Sequence, residues 1–286
     1  MIKRENIRIR DPFIYTDKEN GCYYMYGTTD IVPGSIAARK SFSVYKSLDL
    51  ENFEEPKLLF SPEGTDFWAD RDFWAAEMHK YNGKYYLFGS CKAEGKCRGT
   101  HIFVSDAPDG DFTPVSPLPA TPLDWECLDG TFFVENGTPY IIFCHEWLQV
   151  HDGEIWAMPL TEDLSAPAGE PVKLFSASES PYTSPIGSPN GEYDPNSNNY
   201  VTDGPFFYRE DGKLKMIWSS FSYGRYLVLS AESDSLLGKW THGESLFDFD
   251  GGHAMVFYTL EGERMISLHA PNTRDSGLER PRFYKF

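Results

Sequence analysis

Leu128-Asp129-Gly130-Thr131-Phe132-Phe133-Val134-Glu135-Asn136-Gly137-Thr138-Pro139-Tyr140-Ile141-Ile142-Phe143 is a pair of short aromatic and β-branched runs split by Asn-Gly. Asn-Gly accepts the positive φ angles of a two-residue turn at little cost, so the stretch predicts a β-hairpin. The same pattern recurs around Asn20-Gly21, Asn82-Gly83, Asp211-Gly212 and Glu261-Gly262. A polar or aromatic residue leads each copy: Asp11, Trp74, Asp129, Asp203 and His253, separated by 63, 55, 74 and 50 residues. Those steps match a four-stranded propeller blade rather than a helical repeat. The expected fold is all-β, a five-bladed β-propeller, with residues 1–286 as one catalytic domain and the active site at one mouth of the central channel.

Outward from the hairpins, Ser43-Val44-Tyr45, His101-Ile102-Phe103-Val104, Ile155-Trp156-Ala157 and Leu227-Val228-Leu229 read as outer strands, each bounded by Asp, Gly, Ser or Pro. No segment sustains a 3.6-residue apolar period, so little helix is expected. Ser176 to Asn199, rich in Pro, Ser, Asn and Gly, is a long loop placed to wall a pocket just before Asp203.

Hydrophobic residues make up 41% of the chain, enough for a substantial core, and no apolar stretch has the roughly 20 residues a membrane helix needs. With 43 acidic against 26 basic residues the formal charge is −17, which argues against a nucleic-acid partner, whose phosphates demand Lys and Arg. Neutral sugars are compatible with it. No apolar run follows the basic start, so no signal peptide and a cytoplasmic location are expected. Cys22, Cys91, Cys97, Cys127 and Cys144 are odd in number and form no CxxC pair, a pattern of free thiols.

Singly, an Asp before Pro or Gly is most often a turn residue. Three of them leading a radial repeat would converge on one funnel. Carboxylates crowded there repel one another and are unequally desolvated, which drives their pKa values apart. Glycosidic hydrolysis needs that division, with one carboxylic acid protonating the leaving oxygen and one carboxylate activating water. His253, after Gly251-Gly252, leads the fifth unit; a lone histidine is more often structural than ligating, and the minority reading is an axial water or cation. Trp74 leads the second unit and is the best sugar platform. Phe13, Trp147, Trp68, Phe67 and Phe206 are further aromatic candidates, although strand aromatics are ordinarily core. Glu77, His145 and Glu146 are candidates to hydrogen-bond sugar hydroxyls.

These segments resemble the family 43 glycoside hydrolases, five-bladed propellers acting on arabinose- and xylose-containing polysaccharides. Arg10-Asp11-Pro12-Phe13 is similar to the family's base segment, Trp74-Ala75-Ala76-Glu77 to its Trp-Ala-Pro-Glu segment, and Leu128-Asp129-Gly130 to the strand carrying its second Asp. Gly252-His253-Ala254 is similar to its histidine segment. The resemblance implies Asp11 as general base, Asp129 as pKa modulator and His253 as an axial residue near a bound cation. No cofactor is required on this reading, with a structural Ca2+ or other cation near His253 as an option.

The chain departs from the pattern at Asp203-Gly204-Pro205, where the family has Glu-Gly-Pro. The acid is one methylene shorter, about 1.5 Å of reach, and a misplacement of roughly 1 Å costs on the order of a hundredfold in rate unless compensated. The expectation is an inverting, exo-acting glycosidase releasing terminal α-L-arabinofuranosyl or β-D-xylosyl units from oligosaccharides, with Asp203 as the acid. The rival is a catalytically silent carbohydrate-binding propeller. Glu126-Cys127-Leu128-Asp129 resembles a segment of the fructoside-cleaving family 32 enzymes, a third reading. No membrane or nucleic-acid partner is expected, and the sequence names no protein partner.

Overall fold

The hairpin turns carry the backbone angles the sequence asks for. Asn82-Gly83, Asn136-Gly137 and Asp211-Gly212 each form a two-residue turn with both φ angles positive. Asn20-Gly21 and Glu261-Gly262 instead lie in longer loops, after Asp17 and Tyr258 respectively. The computed structural model describes residues 1–29, 40–272 and 277–286. Its strands form five antiparallel sheets arranged as the blades of a propeller.

The innermost strands of blades 1 to 5 are Ile9–Asp17, Arg71–Tyr81, Cys127–Glu135, Asp203–Glu210 and Gly252–Tyr258. Each pairs with a second strand: Cys22–Thr29, Lys84–Lys92, Thr138–His145, Lys213–Ser222 and Arg264–Ala270. The four outer runs read from sequence fall in the third strands Phe42–Ser47, Gly99–Ser105, Glu154–Pro159 and Arg225–Ser233. Blade 5 ends with Arg280–Lys285 and has three strands among the described residues. The described α-helix is the single turn Trp147–Val150.

Apolar residues at alternate positions of neighbouring blades meet between the sheets. Phe42, Phe73, Phe60 and Phe103 pack with ring centroids 4.6 to 6.2 Å apart between blades 1 and 2. Phe175 and Trp218 pack at 5.3 Å between blades 3 and 4. Side chains tie blade 5 to blade 1: Ser267 donates to the Pro12 carbonyl at 2.8 Å and the Leu260 amide to the Tyr23 hydroxyl at 2.8 Å.

Every innermost strand carries a β-bulge at the same register. Its ladder skips from Arg10 to Phe13, Trp74 to Glu77, Leu128 to Thr131, Asp203 to Phe206 and Gly252 to Met255. The first bulged residue is left-handed in all five: Asp11 (φ 56°), Ala75 (46°), Asp129 (54°), Gly204 (51°) and His253 (53°). Bulges re-aim side chains and cluster near sites.

The bulge amides are held across the blades. Asp11 N–H donates to His269 Nδ1 at 3.1 Å, Ala75 N–H to Thr28 Oγ1 at 2.7 Å, Asp129 N–H to Ser90 Oγ at 2.9 Å and His253 N–H to Ser219 Oγ at 2.8 Å. These acceptors sit opposite Gly252, Arg10, Trp74 and Asp203 in the ladders, one equivalent position of the second strand. Blade 3 has Cys144 there, opposite Leu128, and a thiol is a weak acceptor. The Gly204 amide donates instead to Asp129 Oδ2 at 3.0 Å.

Candidate functional site

The register separates the five leading residues into two sets. Asp11, Asp129 and His253 occupy the left-handed bulge position, while Trp74 and Asp203 stand one residue earlier, level with Arg10, Leu128 and Gly252. The single shared phase expected from counting is therefore corrected. All five nevertheless line one pocket of about 180 Å³, together with Arg10, Thr28, Arg98, Glu146, Trp147, Leu148, Pro189, Val201 and Tyr226, and with Leu128. That volume is roughly the share of six waters, below the usual range for drug-sized ligands and suited to a single sugar ring. Pro189 brings the loop read from sequence as a pocket wall to its place.

His253 organises the centre. Its Nδ1 lies 3.1 Å from Asp11 Oδ1 and 3.7 Å from Asp129 Oδ2. Burial pushes the imidazole down, but Asp11, Asp129, Asp203 and Glu77 raise it above its ordinary value. Asp11 also accepts a hydrogen bond from the Thr28 hydroxyl. Burial pushes the Asp11 carboxyl up; His253 first, with Arg10 and the Thr28 hydroxyl, outweighs it and holds it well below the ordinary carboxylate range. His269 is driven the other way by burial and by Arg10, so it is neutral. That state is required for its Nδ1 to accept the Asp11 amide.

Asp129 is pushed well above the ordinary range, by burial first, with His253 opposing and the charges of Asp203 and Asp11 adding. Two carboxyls around one imidazole thus prefer opposite protonation states. Asp203 Oδ2 accepts the Tyr226 hydroxyl at 3.0 Å. Glu146 is raised by burial, with Arg98 opposing. The Arg98 guanidinium stands 3.8 Å over the Trp74 ring, 3.1 Å from Asp72 Oδ2 and 3.9 Å from Glu146 Oε2. Several polar atoms of lining residues are buried without a hydrogen bond among the described residues: Trp74 Nε1, Arg98 Nη1 and His253 Nε2, with Arg98 Nε and Glu146 Oε2 facing each other only at the 3.9 Å ion-pair distance. Buried polar groups are normally satisfied, so these are groups available to a hydroxyl-rich ligand.

Phe13, Glu77 and His145 do not line the pocket. Phe13 is core, edge-on to His79 and Phe206 at 5.1 and 6.2 Å. Glu77 is buried against His79 at 3.1 Å. His145 stacks on Trp125 at 4.4 Å and meets Gln149 at 2.8 Å, which fixes it behind Glu146. Phe67 and Trp68 pack with Phe60, Phe73 and His101. Strand aromatics here follow the ordinary rule that they build core.

Arg98, Tyr226, Thr28 and His269 were not legible as site residues, because Thr28, His269 and Tyr226 come from second and third strands and Arg98 from the loop just before a third strand, none with a leading-residue signal. A cation at the axis finds a poor donor set. Among the described residues no three His, Cys, Asp or Glu side chains form a metal-binding group, and His253 offers one nitrogen where Ca2+ takes six to eight oxygens. The residues do not fit a protein-ligated Ca2+.

A five-bladed propeller whose axial pocket gathers buried, unequally protonated carboxyls defines the class of carbohydrate-cleaving propellers. The family model "Glycosyl hydrolases family 43" matches residues 6–283, and the chain belongs to that family. Inversion of configuration is general to it. A crystal structure described as an endo-arabinase from Bacteroides thetaiotaomicron is similar with a TM-score of 0.89 and 41% identity, covering 100% of this chain and 96% of that one. A thermostable family-43 glycoside hydrolase shares the fold, with a TM-score of 0.78 and 21% identity over 99% and 92% of the two chains. A "Xylosidase/arabinosidase" of Bacteroides ovatus is 29% identical over 105 residues, which is 34% of this chain and 32% of that protein.

Proposed function

We propose that the chain is an exo-acting glycosidase that removes a terminal α-L-arabinofuranosyl or β-D-xylosyl unit from oligosaccharides. Asp11 is the general base, Asp203 the general acid and Asp129 the residue that tunes Asp203. The observation that carries this reading is the split between Asp11, held ionised by His253 and its neighbours, and Asp129, pushed toward the neutral form a few ångströms away. A charged base is ready at ordinary pH. Acid, base and water suffice for this reaction, so no cofactor is required on this reading.

The one-ring pocket favours release of terminal units. Endo action is the second reading, favoured by the 41%-identical neighbour described as an endo-arabinase. A screen on nitrophenyl α-L-arabinofuranoside, β-D-xyloside, galactoside and fructoside-type substrates, followed by product analysis on linear arabinan and xylan oligosaccharides, tests both. Monosaccharide release with inverted anomeric configuration is expected. Internal fragments would establish endo action, and no turnover of any substrate alongside measurable sugar binding would establish the silent propeller.

A further inference from the structure

Four hairpins among the described residues turn on two residues, both at positive φ. Three open with Asn82, Asn136 or Asp211, side chains that tolerate the left-handed region; the fourth opens with Tyr223 at φ 48°, before Gly224. A bulky aromatic there is a backbone outlier. Burial does not compensate it, because Tyr223 is 73% exposed. Such strain points to a role outside the hairpin itself.

The turn stands at the pocket end of blade 4. Tyr226, three residues on and about 10 Å along the strand, is the pocket residue bonded to Asp203. The Tyr223 ring meets Tyr193, 44% exposed, with centroids 5.0 Å apart and planes at 52°. Tyr193 belongs to the loop that places Pro189 in the pocket wall. That loop is fastened to the hairpin: Ser184 N–H donates to the Phe221 carbonyl at 2.9 Å, and Tyr223 N–H to Ser184 Oγ at 2.6 Å. Within it, the Gly187 amide donates to the Glu192 carbonyl at 2.8 Å. The two rings meet as a ledge on the pocket end of blade 4, outside the residues that line the pocket.

We propose that Tyr193 and Tyr223 form an outer binding site for a sugar unit of a linear pentose oligosaccharide whose end occupies the axial pocket. This rests on the glycosidase reading. On the exo reading the terminal ring enters the axial pocket and the rest of such a chain lies on the surface, where an aromatic face with a phenol edge suits a sugar's C–H face and hydroxyls. The substrate class is therefore oligosaccharides long enough to reach the ledge.

Tyr223→Asn tests it, because asparagine is the residue the turn geometry favours and the hairpin is expected to fold. The ratio of kcat/KM on a linear arabino- or xylopentaose to kcat/KM on the matching nitrophenyl glycoside should fall about tenfold, the scale of one aromatic stacking contact. An unchanged ratio overturns the ledge while leaving the proposed function standing. Calorimetric titration of the pentaose into the Asp11→Asn protein, with and without Tyr223→Asn, separates the two ideas. Affinity that drops about tenfold supports the ledge even if no glycoside is hydrolysed, whereas equal affinity or no binding to either protein overturns it.

Discussion

Replacing His253 with Asn removes the imidazole that lies against both axial carboxyls while keeping a residue that tolerates the left-handed backbone at φ 53°. The imidazole is 3.1 Å from Asp11 and 3.7 Å from Asp129. An opposite charge this close holds a carboxyl down by about 1–3 units, or about 1.4–4 kcal/mol of preference for the ionised form. With it gone, burial acts on Asp11 with less opposition and its pKa rises. The base must be ionised, so the acid limb of the kcat/KM–pH profile on a nitrophenyl pentoside should move up by about 1–3 units. Stability follows the same signs. A depressed Asp11 stabilises the fold above its unfolded value near 3.9, lost as pH falls through the folded value. A raised His253 stabilises it fully below the unfolded value near 6.5, lost as pH climbs through the folded value. The loss in melting temperature should peak between about pH 4 and 6.5 and shrink on either side. An acid limb that stays in place would refute the claim that His253 sets the ionisation of Asp11.

Asp11→Asn should lower kcat on nitrophenyl pentosides by about 10²–10⁴-fold with the circular dichroism spectrum unchanged, as expected for loss of a general base. Arg98→Met leaves the buried Glu146 and the half-buried Asp72 without their guanidinium and uncovers Trp74; denaturant unfolding should show a loss of about 3 kcal/mol. Gly204→Ala would set a Cβ 2.7 Å from the His253 ring at φ +51°. Backbone strain and overpacking together should cost about 2–5 kcal/mol in the same assay, and displacement of His253 should lift the acid limb of the activity profile.

The fold was readable because turn chemistry is local: three Asn-Gly or Asp-Gly pairs form the expected two-residue turns, and the apolar runs beside them form the two inner strands of blades 2, 3 and 4. Asp11, Asp129 and His253 were readable for the same reason, each leading an inner strand. Their partners were not. Arg98 and Tyr226 stand where third strands begin, and Thr28 and His269 near the ends of second strands, so closure of the ring rather than any spacing brings them to the axis.

Leu128-Asp129-Gly130 and Thr202-Asp203-Gly204 look interchangeable in sequence, yet Asp129 lies eight residues before its turn glycine, Gly137, and Asp203 nine before Gly212. The bulges accordingly align Asp129 with Gly204. Both turns have two residues, so that single residue of difference sets the alignment, and one residue of slip turns a strand side chain to the opposite face. The offset has a chemical consequence. Asp203, outside the bulge, takes its hydrogen bond from Tyr226 of its own blade, whereas Asp129, inside it, accepts the Gly204 amide where Cys144 provides only a weak acceptor. The carboxyl that neighbours the proposed acid is thereby also the clasp between blades 3 and 4. Substitutions at Asp129 should move the pH profile and the melting temperature together, whereas those at Asp203 should separate them.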